Sequence, residues 1–285
     1  MIVIRLMGGL GNQMFQYAFG KTLSIKFNKK LILDTTLLET LKKNPNITPR
    51  NFELTAFGMK PNMTLFNKLH LFYLKHIKKS LCYINEIDPY NFYHNISLTP
   101  INSYIITGYF QSYKYFNEII PIVISDFKFK TLHSVYHNLQ SYILGINNSV
   151  SVLVRRDDFV LINEENVLNE NYYIKAFNYL RSKVANPTFV IFTIGDTGWA
   201  HEKFSNFNDC IVIENENPNL FGFEKLNLMT LCKHSIIANS SYGWWGGLLN
   251  LNPNKIVVAP SKWDSDLVIN SLILTNRIPS DWFII

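Results

Sequence analysis

The chain is short of the residues that staple or metal-load a protein. Among 285 residues there are three cysteines, Cys82, Cys210 and Cys232, too few and too scattered for a disulfide framework, and none lies in a C-x-x-C pair. They are read as reduced thiols of the core. The histidines include no H-E-x-x-H pair, so no metal site is expected and the default chemistry is metal-independent. No run of about 18 or more uncharged apolar residues occurs, which excludes a spanning helix on length. The opening MIVIRLMGGLGNQ lacks the basic, apolar and small-residue regions of a signal peptide, which argues against export and for a cytoplasmic protein. Helix-turn-helix, zinc-finger and RNP-type patterns are also missing, so nucleic acid is not an expected partner.

What is present describes a globular chain. Apolar residues make up 47% and charged residues 17%, far from the profile of disorder, and the length suits about two domains. The formal charge is +6, with basic clusters at Lys42–Lys43 and His76–Lys79. A nucleotide sugar, a lipid-pyrophosphate acceptor or an anionic bilayer would suit that charge, and so would a merely solvated basic face. The basic, aromatic segment 66–79 is the place expected to make any peripheral membrane contact.

Short apolar runs alternate with helical patterns: Ile2–Leu6 then Asn12–Phe27, and Lys30–Leu33 then Thr35–Lys42. Between about Asn62 and Ser141 only Tyr104–Thr107 reads as a strand. The alternation restarts at Ser151–Arg155 and continues through Asn171–Val184, Phe189–Thr193, Ile211–Ile213, Phe223–Lys233, Ser235–Ala238, a helix from Ser240, and Lys255–Ala259. Strand followed by helix, repeated, predicts parallel sheets with crossover helices. The expected fold is α/β, with two Rossmann-like domains over residues 1–140 and 141–285 facing a cleft and a loop hinge near Tyr136–Ser149.

In an open parallel sheet, ligands bind beyond the carboxyl ends of the strands, so the loops that follow strands are where chemistry is sought. Three stand out. In Gly8-Gly9-Leu10-Gly11-Asn12-Gln13, glycines let a ligand approach the backbone at a helix N-terminus, although a strand-to-helix turn wants glycine on steric grounds too. Val154-Arg155-Arg156-Asp157-Asp158 could place a guanidinium fork on a diphosphate with an acid bracing it, or could be a surface charge cluster. Neighbouring residues of a strand point apart, so one arginine is expected to bind and the other to brace. In Asn239-Ser240-Ser241-Tyr242-Gly243-Trp244-Trp245, either serine is a natural N-cap. The paired tryptophans serve either the ligand or packing between domains.

Together these loops resemble the fucosyltransferase family that includes bacterial and animal α-1,2-fucosyltransferases. The segment GGLGNQMFQYAFG is similar to its N-terminal signature, and further similar segments are Arg50–Leu54, Gly108–Ser112, Asn171–Tyr173, Leu231–Ser241 and Ala259–Trp263. The resemblance implies a bacterial, inverting, metal-independent glycosyltransferase of the GT-B type, with the acceptor on the N-terminal domain and the GDP-sugar on the C-terminal one. It needs no cofactor beyond its donor, GDP-fucose. A galactose-terminated oligosaccharide or lipid-linked glycan would be the acceptor, in surface polysaccharide (O-antigen) assembly. The site it implies has Arg155, Arg156 and Asp158 in catalysis and Gly9, Gly11, Asn12, Gln13, Asn239, Ser240, Ser241 and Trp244 around the donor. The family's H-x-R-R-x-D motif carries Leu153 at the histidine position here, which fits an altered donor preference such as GDP-colitose, a weaker affinity, or neutral drift. No residue identifies itself as the catalytic base; Asp34 and Glu53 are candidates for that role or for structural ones.

Overall fold

The computed structural model describes every residue except 45–47, 94, 95, 97, 130–133, 157–163 and 215–221. The chain divides into two compact units, Met1–Lys130 and Thr131–Ile285.

In the first unit, β1 (Ile2–Arg5) leads into α1 (Leu10–Lys26), then β2 (Leu31–Asp34), α2 (Thr36–Leu41), α3 (Leu65–His76), β3 (Leu81–Asn85), β4 (Ser103–Thr107) and α4 (Ile120–Asp126). The sheet order is β2-β1-β4-β3 and every pairing is parallel. Alternation along β1 decides what covers each face. Val3 packs with Ile32, Ile105 and Leu71 of α3, whereas Ile4 points to α1 and lies where a Cβ on Gly20 would go.

The second unit runs α5 (His137–Gly145), β5 (Ser149–Arg156), α6 (Glu170–Lys183), β6 (Thr188–Gly195), α7 (Thr197–Phe204), β7 (Cys210–Val212), α8 (Gly222–Thr230), β8 (His234–Ile236), α9 (Ser241–Leu249), β9 (Val257–Ala259), α10 (Leu267–Arg277) and β10 (Phe283–Ile284). Its strands order as β10-β9-β8-β5-β6-β7, again with parallel pairings. Numbered from its own first strand and read from the other edge, that is the 3-2-1-4-5-6 order of a doubly wound nucleotide-binding fold. Strands buried on both faces read as unbroken apolar runs: Val150, Val152, Leu153 and Val154 of β5 and Phe189 to Phe192 of β6 are all buried.

Two expectations are corrected. The hinge expected as loop at 136–149 is mostly the helix α5, and the boundary expected at 140 falls inside it, while the units divide at Lys130. Ile143 of α5 is fully buried, and the whole helix falls within the second unit. The middle of the chain also holds α3, β3 and α4 beside the one expected strand, β4.

Gly20 and Gly145 make a paired test of this packing. A Cβ on Gly20 would sit 2.5 Å from Ile4 Cγ1 and 2.9 Å from Leu31 Cδ1, whereas one on Gly145 would meet nothing within 4 Å. Gly20→Ala should therefore destabilise the protein by about 1–3 kcal/mol, against the usual gain for alanine in a helix. Gly145→Ala should stabilise it by roughly 0.4–1 kcal/mol. Urea unfolding reads both; a gain at Gly20 would contradict the close approach of α1 to its sheet.

Candidate active site

The second unit has a crevice of its own at the end of its central ladder. β5 pairs with β8 only through Val150, Ser151 and Val152, but continues against β6 as far as Arg156, opposite Gly195. Past Val152 the two central strands part. Ile237 instead donates its N–H to Val258 of β9 at 2.9 Å, so the chain after β8 follows its other neighbour. This opening is the switch point where strand order reverses, the place where open α/β sheets hold ligands. The arginine loop leaves from one side of it and the Asn239–Trp245 loop from the other.

Arg155 and Arg156 close β5 and are both half-buried. Strand alternation sends them to opposite faces. Arg156 lies over the Trp199 ring, its guanidinium carbon 4.5 Å from the centroid, a cation–π contact that fixes its plane. Its Nε is enclosed and lacks a hydrogen-bond partner among the described residues, an unmet demand for an acceptor. Arg155 shares the face of Leu153, whose side chain is fully buried against the first turn of α9; a Cβ on Gly243 would come within 2.8 Å of Leu153 Cδ2. Asp157 and Asp158 lie outside the described residues. Beneath the arginines, the Tyr173 hydroxyl donates to the Leu153 carbonyl at 3.2 Å. Burial drives the Tyr173 pKa far up, with the Arg156 charge opposing, so Tyr173 is a fixed neutral donor.

On the far side of the crevice Ser240 is the N-cap of α9, and its hydroxyl oxygen accepts from the Gly243 N–H at 3.0 Å. The first turn of a helix presents N–H groups without intrahelical acceptors and a partial positive charge. Asn239 is buried and donates through Nδ2 to the Asn166 carbonyl at 2.7 Å, which ties this loop to the segment entering α6. Ser241 remains half-buried at the helix start. Trp244, expected around the donor, is fully buried: its indole N–H donates to the Arg277 carbonyl at 2.8 Å, and its ring packs on Trp245 and Trp282. A tryptophan with its one donor spent inside the unit is part of the core under the site.

The structure adds residues to which the sequence reading gave no role. Asn171 and Lys175 of α6 meet Ser261 and Lys262, beyond the carboxyl end of β9, around a cavity of about 310 Å³. Asn171, Ser261 and Lys262 fall in two of the family-like segments and Lys175 in none, and only the fold brings the two lysines to one cavity. Lys225 of α8 donates to the Thr193 carbonyl at 2.8 Å, and burial lowers its pKa. A larger cavity, about 660 Å³, opens in the first unit around Asn28–Leu31. That loop enters β2 at its amino end, so size there is no guide to the chemistry. Among the described residues no three His, Cys, Asp or Glu side chains group to hold a metal ion.

The glycine loop belongs to the first unit. Gly8 has φ +72°, and a Cβ on it would lie 2.3 Å from Asn12 Nδ2, so the turn itself demands glycine. Gly9 is different: its φ is −79° and a Cβ would meet nothing nearer than Arg50 Nε at 3.8 Å. Neither backbone nor packing requires glycine there, at the N-cap of α1 and beside a cation. Gly11 is buried in the first turn. Asn12 accepts from Gln111 Nε2 at 2.6 Å, tying the loop after β1 to the loop after β4. Gln13, expected around the donor, has its buried amide engaged by the fold: Nε2 donates to the Gly8 and Asn51 carbonyls and Oε1 accepts from the Glu53 N–H. Of the candidate bases, Asp34 accepts from the Thr36 N–H at 3.0 Å and lies 3.7 Å from Arg5, a structural post. Glu53 accepts from the Leu10 N–H at 3.1 Å and so caps α1 from across the unit.

Residues 1–276 match the profile of glycosyl transferase family 11. The chain belongs to that family. It is 31% identical over 287 residues to the O-antigen biosynthesis glycosyltransferase WbnK of Escherichia coli, covering 90% of this chain and 93% of that one. It is 32% identical over 299 residues to an alpha-1,2-colitosyltransferase of Escherichia coli, covering 99% and 97%. In fold it is similar to POFUT1 in complex with GDP, with TM-score 0.50 and 11% identity over 90% of this chain and 97% of that one. The architecture of this family 11 glycosyltransferase is thus the GT-B type, two Rossmann-like α/β units. Within it, the side chain at position 153 is fully buried and packs under the first turn of α9.

Burial raises the Glu53 pKa above its ordinary 4.5, with the Arg50 charge and the Leu10 N–H opposing. A carboxyl whose pKa is raised on folding contributes stability that is full below its unfolded pKa and is lost as pH rises through the folded one. Glu53→Gln keeps an acceptor for Leu10 and removes the titration. Wild-type stability should therefore fall relative to the variant as pH climbs from 4.5 toward neutrality. Urea unfolding across that range checks it, and parallel curves would contradict the buried-carboxyl assignment.

Proposed function

We propose that this chain transfers L-fucose from GDP-β-L-fucose to the 2-hydroxyl of a galactoside with inversion, in bacterial surface polysaccharide assembly. The observation that carries the donor half is the parting of β5 from β8, with Arg155 on one side and the N-terminus of α9 on the other. Charge grows on the leaving diphosphate as the bond from the sugar's anomeric carbon to the phosphate oxygen breaks, and a fixed guanidinium with helix N–H groups stabilises it. The acceptor oxygen forms the new bond from the opposite face of the ring. Its proton passes to a carboxylate or to the departing phosphate oxygen.

Arg155 is the diphosphate ligand in this reading, because alternation turns it toward the α9 turn, while Arg156, stacked on Trp199, braces the strand end. Asn239, Ser240 and Ser241 shape the anion site, and Asp158 is assigned to hold the arginine fork. Lys175 and Lys262 extend its positive lining. A second reading, transfer of colitose from GDP-colitose, is favoured by the likeness to a colitosyltransferase across nearly the whole chain. The two donors differ by one ring hydroxyl, and a pocket that hydrogen-bonds that hydroxyl would reject the sugar lacking it. The surface-polysaccharide setting draws on the likeness to WbnK.

Arg155→Ala should weaken GDP binding by about 1.5–3 kcal/mol, the scale of a charge-assisted contact, and Arg156→Ala by less. Calorimetric titration with GDP measures this, and wild-type affinity in both variants would displace the diphosphate from the crevice. For the activity, GDP release is followed from GDP-fucose, GDP-colitose, UDP-galactose and dTDP-rhamnose, with and without lactose and with chelator throughout. Lactose-dependent release from GDP-fucose is expected. Release from GDP-colitose alone would select the second reading, and release only from UDP- or dTDP-sugars would overturn both.

A further inference from the structure

α3 has two apolar faces and only one of them is covered. Leu71 and Leu74 are buried, and Leu71 joins the core against Val3 and Ile32. On the opposite side Leu65 is 73% exposed, Phe66 76%, Leu69 60% and Phe72 61%, with Tyr73 also exposed. At about 100° per residue these five side chains fall within a single arc of roughly 120°, together with His76. Lys68 and Lys75 stand along one margin of that arc, and Lys78 and Lys79 follow at the helix end, all exposed. From residue 54 to residue 85 the chain has five lysines and no aspartate or glutamate. Five large apolar side chains turned to solvent on one helix form the kind of contiguous patch that marks an interaction surface.

We infer that the exposed face of α3 docks on an anionic phospholipid bilayer. Bulky apolar and aromatic side chains flanked by lysines with no acid nearby are what an interfacial helix needs: rings and alkyl chains enter the headgroup boundary while the ammonium groups meet lipid phosphates. Charge decides the occupant. A second copy of this face would set lysines against lysines, whereas an anionic membrane complements both parts of the surface. No helix among the described residues is long and apolar enough to cross a membrane, so the contact is peripheral. The inference does not depend on which donor is used.

The full chain is sedimented with phosphatidylcholine vesicles containing or lacking phosphatidylglycerol, alongside two double variants, Phe66→Ser with Phe72→Ser and Lys68→Glu with Lys75→Glu. All four side chains are exposed, so thermal unfolding should match wild type. Wild type should partition onto the anionic vesicles and be released by salt. The lysine variant should bind at least tenfold more weakly, on the order of fivefold per lysine removed, and the phenylalanine variant should lose binding comparably. Turnover of a soluble acceptor should be unchanged in both. Failure of wild type to bind, equal binding to neutral vesicles, or variants that bind like wild type would each overturn the inference. So would a dimer that Leu69→Asp dissociates, found together with absent vesicle binding, which would assign the face to a second copy.

Discussion

The second unit is organised by a topological constraint. Parallel strands joined by right-handed crossovers can be wound in two directions from a starting strand, and where the direction reverses no connection crosses the carboxyl end of the sheet. In this chain the reversal lies between β5 and β8. The ladder there ends at Val152 while β5 runs on to Arg156, so the last residues of β5 extend past the end of β8. The arginine pair, the Ser240 cap and the buried tryptophans all take their positions from that opening. Trp244 and Trp245 fill the space beneath α9, which holds its first turn at the edge of the crevice.

Much of what surrounds the site is bracing rather than contact. Trp199 sets the plane of Arg156, Tyr173 holds the Leu153 carbonyl, and Asn239 ties its loop to Asn166. The first unit uses the same economy: Gln13, Glu53 and Asn12 consume their polar atoms in fixing the glycine loop, and Glu86 accepts from the Tyr109 and Phe110 N–H groups to hold the loop after β4. Phe110 keeps a positive φ of 50° while stacked on Phe19 at 4.0 Å. Polar groups placed this way give a preorganised surface, which is what stabilising a growing charge requires.

The strands and helices around both glycine- and arginine-bearing loops were legible because parallel strands write continuous apolar runs and their loops begin with glycine, arginine or an N-capping serine. The segment 62–141 was not, for reasons that α3 makes plain. A helix with apolar side chains on two faces blurs the single stripe by which amphipathic helices are recognised, and the short edge strand β3 has no fully buried residue to announce it. At Gln13 in the first unit and Trp244 in the second, residue type alone did not tell that the side chain's polar atoms are engaged within its own unit. Lys175 carries no local signal and Lys262 only its place in a family-like segment, because their proximity exists only once β9 and α6 are folded.

Amide hydrogen exchange with and without GDP tests most directly whether the donor's diphosphate rests in the crevice between β5 and β8. GDP should slow exchange in peptides covering 153–156 and 237–245, where the end of β5 and the first turn of α9 present their N–H groups. Protection confined to residues 8–13 of the first unit, with 237–245 unchanged, would contradict it.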